Sequence, residues 1–218
     1  MIRTRAIYLS VLAVIFLFLF GIVIYYLIHG RIFADSPYGT ETERQNRSWD
    51  VDSDGNKEAV SAIKYRSDSK TNFILAVTDN NKNYSLNLTG FESEISFCKD
   101  NELVTIEQNK IICISGYVGV HSENIQLIVF DGSNLKPMLF VNNGSEENRI
   151  TSDAPNFGFT DVNNDNSSEL YVDNRDYEKD PVLDTLRSYY YFINGAFRYN
   201  NVESIHNEEQ INGDGRIN

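Results

Sequence analysis

The chain has 218 residues, which is enough for one membrane segment and one modest globular domain. Apolar residues make up 41% of it and aromatic residues 12%, so the composition favours a packed core over a disordered chain. The formal net charge is -12, from 31 acidic and 19 basic residues. Because binding to phosphates depends on lysine and arginine, we expect no nucleic-acid partner.

The N-terminal region contains one long uncharged run, residues 6–28, in which Leu, Ile, Val and Phe predominate. As a helix this run would measure about 35 Å, which is enough to cross a hydrocarbon core of about 30 Å. Tyr8 lies near one end and Tyr25 and Tyr26 near the other, as in an aromatic belt. The run therefore predicts a transmembrane helix after a short tail, residues 1–5. Its length favours an uncleaved signal anchor over a cleaved signal peptide, whose apolar region is shorter.

The segments that flank this anchor predict its orientation and a linker. Arg3 and Arg5 favour a cytoplasmic N-terminus and an extracytoplasmic domain, while Arg31 on the other side weakens the asymmetry. Residues 31–48 are polar and lack apolar periodicity, which predicts a flexible linker. At the other end of the chain, residues 206–218 are polar and are expected to form a tail.

Residues 49–205 have the pattern of an all-β domain. Short runs rich in Ile, Val, Tyr, Phe and Leu alternate with clusters of Asn, Asp, Gly and Ser. No stretch keeps a helical apolar period, although a short helical turn is predicted near residues 182–187. Three similar antiparallel hairpins are expected, with tips at residues 79–83, 131–134 and 194–195. Their spacing predicts about three related units.

The chain has two cysteines, Cys98 and Cys113, which is neither a disulfide scaffold nor a zinc pattern. They are expected to form either one disulfide, if the domain is extracytoplasmic, or two buried free thiols. If residues 100–101 and 108–109 are hairpin turns, the cysteines lie on the outer strands of a meander and point to opposite faces. That arrangement favours free thiols.

Two nine-residue segments carry the clearest chemistry: Asp50–Glu58, the first loop, and Asp161–Glu169, the second loop. Both place oxygen side chains at positions 1, 3, 5 and 9, and position 7 would add a backbone carbonyl. Calcium takes six to eight oxygen ligands, so the pattern predicts two Ca²⁺ sites. The predicted ligand positions are Asp50, Asp52, Asp54, Asn56 and Glu58 in the first loop and Asp161, Asn163, Asp165, Ser167 and Glu169 in the second.

Other metals and the EF-hand fit this pattern poorly. Neither loop contains His or Cys, which argues against zinc, copper and iron, and magnesium needs a stricter octahedron. An EF-hand needs an acid at position 12 and flanking helices, but that position is Ser61 or Val172 within a strand-like run. Position 6 is Gly55 or Asn166, and both residue types tolerate the positive φ of a sharp turn.

The two loops, with the strand-like runs 59–63 and 170–172 that follow them, resemble the FG-GAP or VCBS-type repeat of integrin-like β-propellers. Trp49 and Phe159, just before the loops, also fit that pattern. The resemblance implies that each loop connects strands of a four-stranded blade and that calcium stiffens the blade. A propeller closes with about four to eight blades, so three units predict an incomplete propeller or a sandwich of blade-like sheets.

No spacing of residues indicates a catalytic site, and the histidines, His29, His121 and His206, are isolated. We therefore expect a non-enzymatic, membrane-anchored surface module that binds a protein or glycan and uses calcium structurally. The alternatives are an accessory subunit that completes a β assembly, through self-association or another chain, and, less favoured, a small calcium-dependent hydrolase. The four carboxylates of the first loop predict tighter calcium binding there than in the second loop.

Overall fold

The computed structural model describes residues 37–68, 70–98, 103–154, 156–165, 167–177 and 184–206. Every regular element in these ranges is a β-strand, which confirms the prediction of an all-β domain. Within them, no helix has the length and apolar character needed to cross a membrane. The predicted anchor at residues 6–28, the tail at 1–5 and all but the first residue of the tail at 206–218 lie outside the described residues.

The described strands form three sheets. The first sheet contains, in spatial order, β1 (Thr40–Trp49), β2 (Glu58–Arg66), β3 (Thr71–Asp79) and β4 (Lys82–Leu88). The middle sheet contains β5 (Ile95–Phe97), β6 (Val104–Ile106), β7 (Asn109–Val118), β8 (Ser122–Phe130), β9 (Leu135–Pro137) and β12 (Ile150–Ser152). The third sheet contains β10 (Leu139–Asn142), β11 (Ser145–Glu147), β13 (Phe157–Thr160), β14 (Glu169–Arg175), β15 (Asp184–Ile193) and β16 (Ala196–His206).

Strand order in the two larger sheets departs from chain order. The middle sheet runs β12-β8-β7-β5, with β6 also paired to β7 and β9 to β8. The third sheet runs β11-β10-β16-β15-β14-β13. The strand pairs of both sheets are antiparallel except β10 with β16, which is parallel. The predicted helical turn is wrong for residues 184–187, because they begin β15.

The middle sheet is buried on both faces. In β7, Ile112 and Ile114 pack into a core with apolar side chains of the first sheet. Their neighbours Ile111 and Cys113 point the other way, into a core shared with the third sheet. Alternate residues of a strand face opposite sides, so a strand covered on both sides reads as a continuous apolar run. The hydrophobic run at the centre of β7 follows from this position between two layers.

The three predicted hairpins are confirmed, one in each sheet. The first turns at Asn80 and Asn81, with φ of 46° and 64°, and the third at Asn194 and Gly195, with φ of 52° and 80°. Positive φ at both turn residues matches the twist of the paired strands. The second hairpin joins β8 to β9 but ends at Pro137, because the following strand, β10, pairs with β16 instead.

The flexible linker predicted over residues 31–48 is wrong for its C-terminal half, since β1 occupies Thr40–Trp49. Most of β1 is exposed, and it lies at the edge of the first sheet. Polar side chains help to hold it: Asn46 accepts a hydrogen bond from Ser61 in β2 at 2.8 Å, and Gln45 donates one to the carbonyl of Ile95 in β5 at 3.0 Å. An edge strand of this kind needs no apolar periodicity, which is why the sequence pattern missed it.

The preference for free thiols is also wrong, because Cys98 and Cys113 form a disulfide with a Cα–Cα distance of 5.2 Å. Both β5 and β6 pair with β7, so Cys98, the residue after β5, lies beside Cys113 instead of across an intervening strand. The backbone N–H of Cys98 donates to the carbonyl of Cys113 at 2.9 Å. The turn before β7 lies at residues 107–108, and the other turn assumed, at 100–101, lies outside the described residues.

Candidate metal centre

The two predicted loops occupy equivalent places in the fold. The first loop joins β1 to β2, and the second joins β13 to β14. Their ninth residues, Glu58 and Glu169, each begin the following strand, with exposed fractions of only 2% and 3%. A carboxylate buried this deeply costs free energy unless hydrogen-bond donors or a cation compensate it. Each loop therefore ends in a buried acid, Glu58 or Glu169, at position 9.

Hydrogen bonds to side-chain oxygens close and curl the first loop. The Oε2 of Glu58 accepts a hydrogen bond from the backbone N–H of Val51 at 2.7 Å. The Oδ1 of Asp52 accepts from the N–H of Asp54 at 3.2 Å, and the Oδ1 of Asp54 accepts from the N–H of Asn56 at 2.7 Å. Alternate side chains thus turn back onto the backbone of the loop.

The second loop repeats these three bonds at the same positions. The Oε2 of Glu169 accepts from the N–H of Val162 at 2.8 Å. The Oδ1 of Asn163 accepts from the N–H of Asp165 at 2.9 Å, and the Oδ1 of Asp165 accepts from the N–H of Ser167 at 2.7 Å. Two segments far apart in sequence therefore adopt one hydrogen-bonded frame.

Both loops turn sharply at position 4, a turn that the spacing of the loop oxygens does not predict. Ser53 has a φ of 66° and Asn164 a φ of 60°, in the left-handed region. The expected turn at position 6 is confirmed for Gly55, with a φ of 91°, while Asn166 lies outside the described residues. The small polar residues at position 4 were the one signal for the extra turn.

Three acidic side chains converge in the first loop. One oxygen from each of Asp50, Asp52 and Glu58 lies within 4.8 Å of the others. The Oδ1 of Asp50 is buried and has no hydrogen-bond partner among the described residues. Asp54 is not part of this group, and its Oδ2 accepts a hydrogen bond from the side chain of Asn56 at 3.0 Å. The loop therefore brings three of its four predicted carboxylates together, and one oxygen of Asp50 lacks a hydrogen bond.

In the second loop hydrogen bonds connect three of the predicted ligands. The N–H of Asp165 also donates to the Oδ1 of Asp161 at 3.1 Å, and the Nδ2 of Asn163 donates to the Oδ2 of Asp165 at 2.8 Å. Position 3 is an amide in this loop and an acid in the first. Across the described part of the chain, the group of three acids in the first loop has no counterpart.

Electrostatic strain is concentrated at the buried end of the first loop. Burial raises the pKa of Glu58, and the negative charges of Asp52, Asp54 and Asp50 raise it further. The hydrogen bond from Lys110 lowers the pKa of Asp50, so that carboxylate stays ionised. A divalent cation placed among these side chains would relieve their mutual repulsion.

Two residues of the middle sheet, neither predicted from the sequence, approach the first loop. The Nζ of Lys110, in β7, lies 2.7 Å from the Oδ2 of Asp50. A Cβ atom at Gly132, in the turn between β8 and β9, would lie 3.3 Å from the Oδ2 of Asp52. The spacing within a nine-residue loop carries no signal for neighbours that folding brings from another sheet.

The chemistry of the converging groups fits a hard cation such as calcium. The donors of the acidic group are all carboxylate oxygens, the ligand type that calcium prefers. The Oδ1 of Asp50 is buried without a hydrogen bond of normal geometry, although the backbone N–H groups of Gly55 and Ser53 lie close enough to the carboxylate to lower its pKa. Comparison of the chain with protein-family models, with curated proteins and with solved structures gave no match.

Proposed function

We propose that the chain is a non-catalytic, membrane-anchored β module that calcium stabilises on the extracytoplasmic side of the membrane. The group of Asp50, Asp52 and Glu58, in which one buried carboxylate oxygen lacks a hydrogen bond of normal geometry, carries this proposal. Such an oxygen costs free energy in a desolvated site unless it meets a donor or a cation. A calcium ion would supply the missing partner and would offset the repulsion among the acids.

The proposal extends to the second loop, which has the same hydrogen-bonded frame and the same buried acid at position 9. Each ion would stabilise the connection between two strands, β1 with β2 and β13 with β14. The role assigned to calcium is therefore structural. The proposed ligands are Asp50, Asp52, Asp54, Asn56 and Glu58 for one ion and Asp161, Asn163, Asp165, Ser167 and Glu169 for the other.

The stacked sheets support the interpretation of the chain as an FG-GAP or VCBS-type repeat protein. One predicted hairpin lies in each sheet, and both loops lead into a buried strand at the start of β2 and β14. Among its described residues, the middle sheet contributes no loop of this kind. Because three sheets are too few to close a propeller, we interpret the domain as an open stack of blade-like units.

Two features support an extracytoplasmic location. The disulfide between Cys98 and Cys113 is of the kind that persists in oxidising compartments. The uncharged run at residues 6–28 provides the anchor. A protein or a glycan is the proposed partner at the cell surface.

Calorimetric titration of the full-length protein with calcium, in a non-ionic detergent, tests the proposed function. We expect two binding events in the wild type and one in each of the variants Asp50→Asn and Asp161→Asn, which remove the acid at position 1 of one loop and keep side-chain size. The doubly substituted protein should bind no calcium. A wild-type protein that releases no heat of binding, or variants that both retain two events, would contradict the proposal.

Sedimentation velocity with and without calcium separates the surface module from the accessory subunit. A module that binds other molecules through its loops should sediment as a calcium-loaded monomer. An accessory subunit that completes a β assembly with itself should sediment as an oligomer, which would favour the alternative.

A further inference from the structure

Lys110 contributes to the first loop from a different sheet. It lies near the start of β7, opposite Thr105 of β6, and its neighbours Ile111 and Ile112 are almost completely buried. The backbone that carries Lys110 is therefore held in the core of the molecule. Its Nζ lies 2.7 Å from the Oδ2 of Asp50, and the two side chains are only 27% and 22% exposed.

The two oxygens of Asp50 have different surroundings. Oδ2 accepts the hydrogen bond of Lys110, whereas Oδ1 is buried without a partner among the described residues. The hydrogen bond from the ammonium group to Oδ2 favours this orientation of the carboxylate. Asp50, Asp52 and Glu58 each place one carboxylate oxygen within 4.8 Å of the others.

An ammonium group at this place changes the charge of the site. The first loop carries four carboxylates, and without a counter-cation their repulsion would oppose folding of the empty loop. Lys110 supplies one positive charge to the first loop. If the exposed Lys57 is left out, the four acids of the first loop together with Lys110 have the same formal charge as the three acids of the second loop. The same positive charge repels an incoming calcium ion.

We propose that Lys110 is a positioning residue of the first calcium site: it orients Asp50, holds the empty loop to the middle sheet and lowers calcium affinity. This inference rests on the proposed function. It revises the expectation from carboxylate number alone that the first loop binds calcium more tightly than the second. Lys110 would thus raise the stability of the protein without calcium and lower its affinity for calcium.

The test compares the full-length wild type with Lys110→Met and Lys110→Arg, by calcium titration and by thermal unfolding in a chelator. Met keeps the apolar stem and removes the charge, so we expect about tenfold tighter calcium binding in the first loop. In the chelator its melting temperature should fall by about 2–4 °C. Binding in the second loop should stay unchanged, and Arg should restore values close to the wild type.

Lys70→Met is the matched control, because it removes the same charge in the turn between β2 and β3. That turn lies at the end of β2 opposite to the first loop, about 25 Å away along the strand. The control should leave both calcium affinities unchanged.

Two results would overturn the inference without touching the proposed function. In the first, Lys110→Met leaves the calcium affinity of the first loop unchanged or weakens it, while both loops still bind calcium. In the second, Lys110→Met and Lys70→Met change the calcium affinity of the first loop equally. A wild-type protein that binds no calcium would overturn the proposed function as well, so the two failures are distinguishable.

Discussion

At the scale of single residues, the ninth position of each loop combines two tasks in one side chain. Glu58 and Glu169 each accept a hydrogen bond from the backbone N–H at position 2 of the same loop, and each also brings a buried negative charge to the site. A neutral amide of the same shape can still accept that hydrogen bond. It cannot replace the charge that a cation would meet. Loop closure and ion binding can therefore be separated by substitution.

Glu58→Gln should stabilise the empty protein and abolish the calcium response of the first loop. The pKa of Glu58 is raised above 4.5 in the folded protein, so at neutral pH its ionised form costs stability on folding. Gln removes that cost and retains an oxygen for Val51. Calorimetric melting in a chelator should give a higher melting temperature than the wild type, and calcium should raise it less.

Glu58→Ala is the control for this substitution, because it loses the acceptor as well as the charge. We expect it to be destabilised by about 1–3 kcal/mol with or without calcium. A full calcium response in Glu58→Gln would show that the ion does not depend on this acid.

Tyr190→Phe should reduce the loss of stability at alkaline pH. Burial raises the pKa of Tyr190 from 10.0 to about 12, so the neutral phenol is favoured in the fold. The contribution of the neutral phenol to the free energy of unfolding is fully present below pH 10 and is lost as the pH rises to about 12. The loss amounts to about 2–3 kcal/mol. Urea unfolding across this range should show the smaller loss in the variant. Tyr117→Phe, at a site 47% exposed, should behave like the wild type.

At the scale of elements, short strands depend on partners that are distant in sequence. The strand β5 has three residues and pairs with β7, and the disulfide at Cys98 follows it directly. Phe97, at the end of β5, packs edge-on against Trp49 with ring centroids 5.0 Å apart. Trp49 in turn precedes the first loop. The disulfide, β5 and the loop are thus neighbours in one part of the fold.

Replacing both Cys98 and Cys113 by Ala should destabilise the protein by about 2–3 kcal/mol, because the bond closes a loop with a sequence separation of 15. Chemical unfolding followed by the fluorescence of Trp49, the chain's one tryptophan, measures this change. Calcium should still raise the stability of the variant, since neither cysteine lies in a loop. Equal stability of the variant and the wild type would contradict a stabilising role for the disulfide.

At the scale of the whole molecule, the two loops lie on the outer layers, whereas the middle sheet supplies both cores. The strands β7 and β8 contribute apolar side chains to each core. Their packing does not depend on an ion. Calcium should therefore stabilise the edges of the stack more than its centre.

Hydrogen exchange with and without calcium should show this division. We expect β7 and β8 to exchange most slowly in both conditions, because they are covered on both faces. Removal of calcium should speed exchange mainly in residues 50–58 and 161–169 and in the adjoining strands β1 and β13. A uniform change across all three sheets would indicate instead that calcium controls global unfolding.

Much of this protein follows from local sequence. Turn residues with positive φ, such as those at Asn80 and Asn194, specify the hairpin tips, since few side chains tolerate that backbone region. The alternation of loop oxygens predicted both nine-residue loops, because hydrogen bonds between neighbouring residues shape them. These features depend on interactions over a few residues, which a sequence pattern records directly.

Other features were decided by the tertiary structure. The polar strand β1 exists because an edge can be held by pairing and polar contacts without apolar burial. The disulfide forms because both β5 and β6 pair with β7, and Lys110 reaches Asp50 across 60 residues of chain. Local sequence determines turns and loops through short-range hydrogen bonds and backbone preference. Packing of the sheets decides which distant side chains meet, because that choice depends on burying all the apolar faces at once.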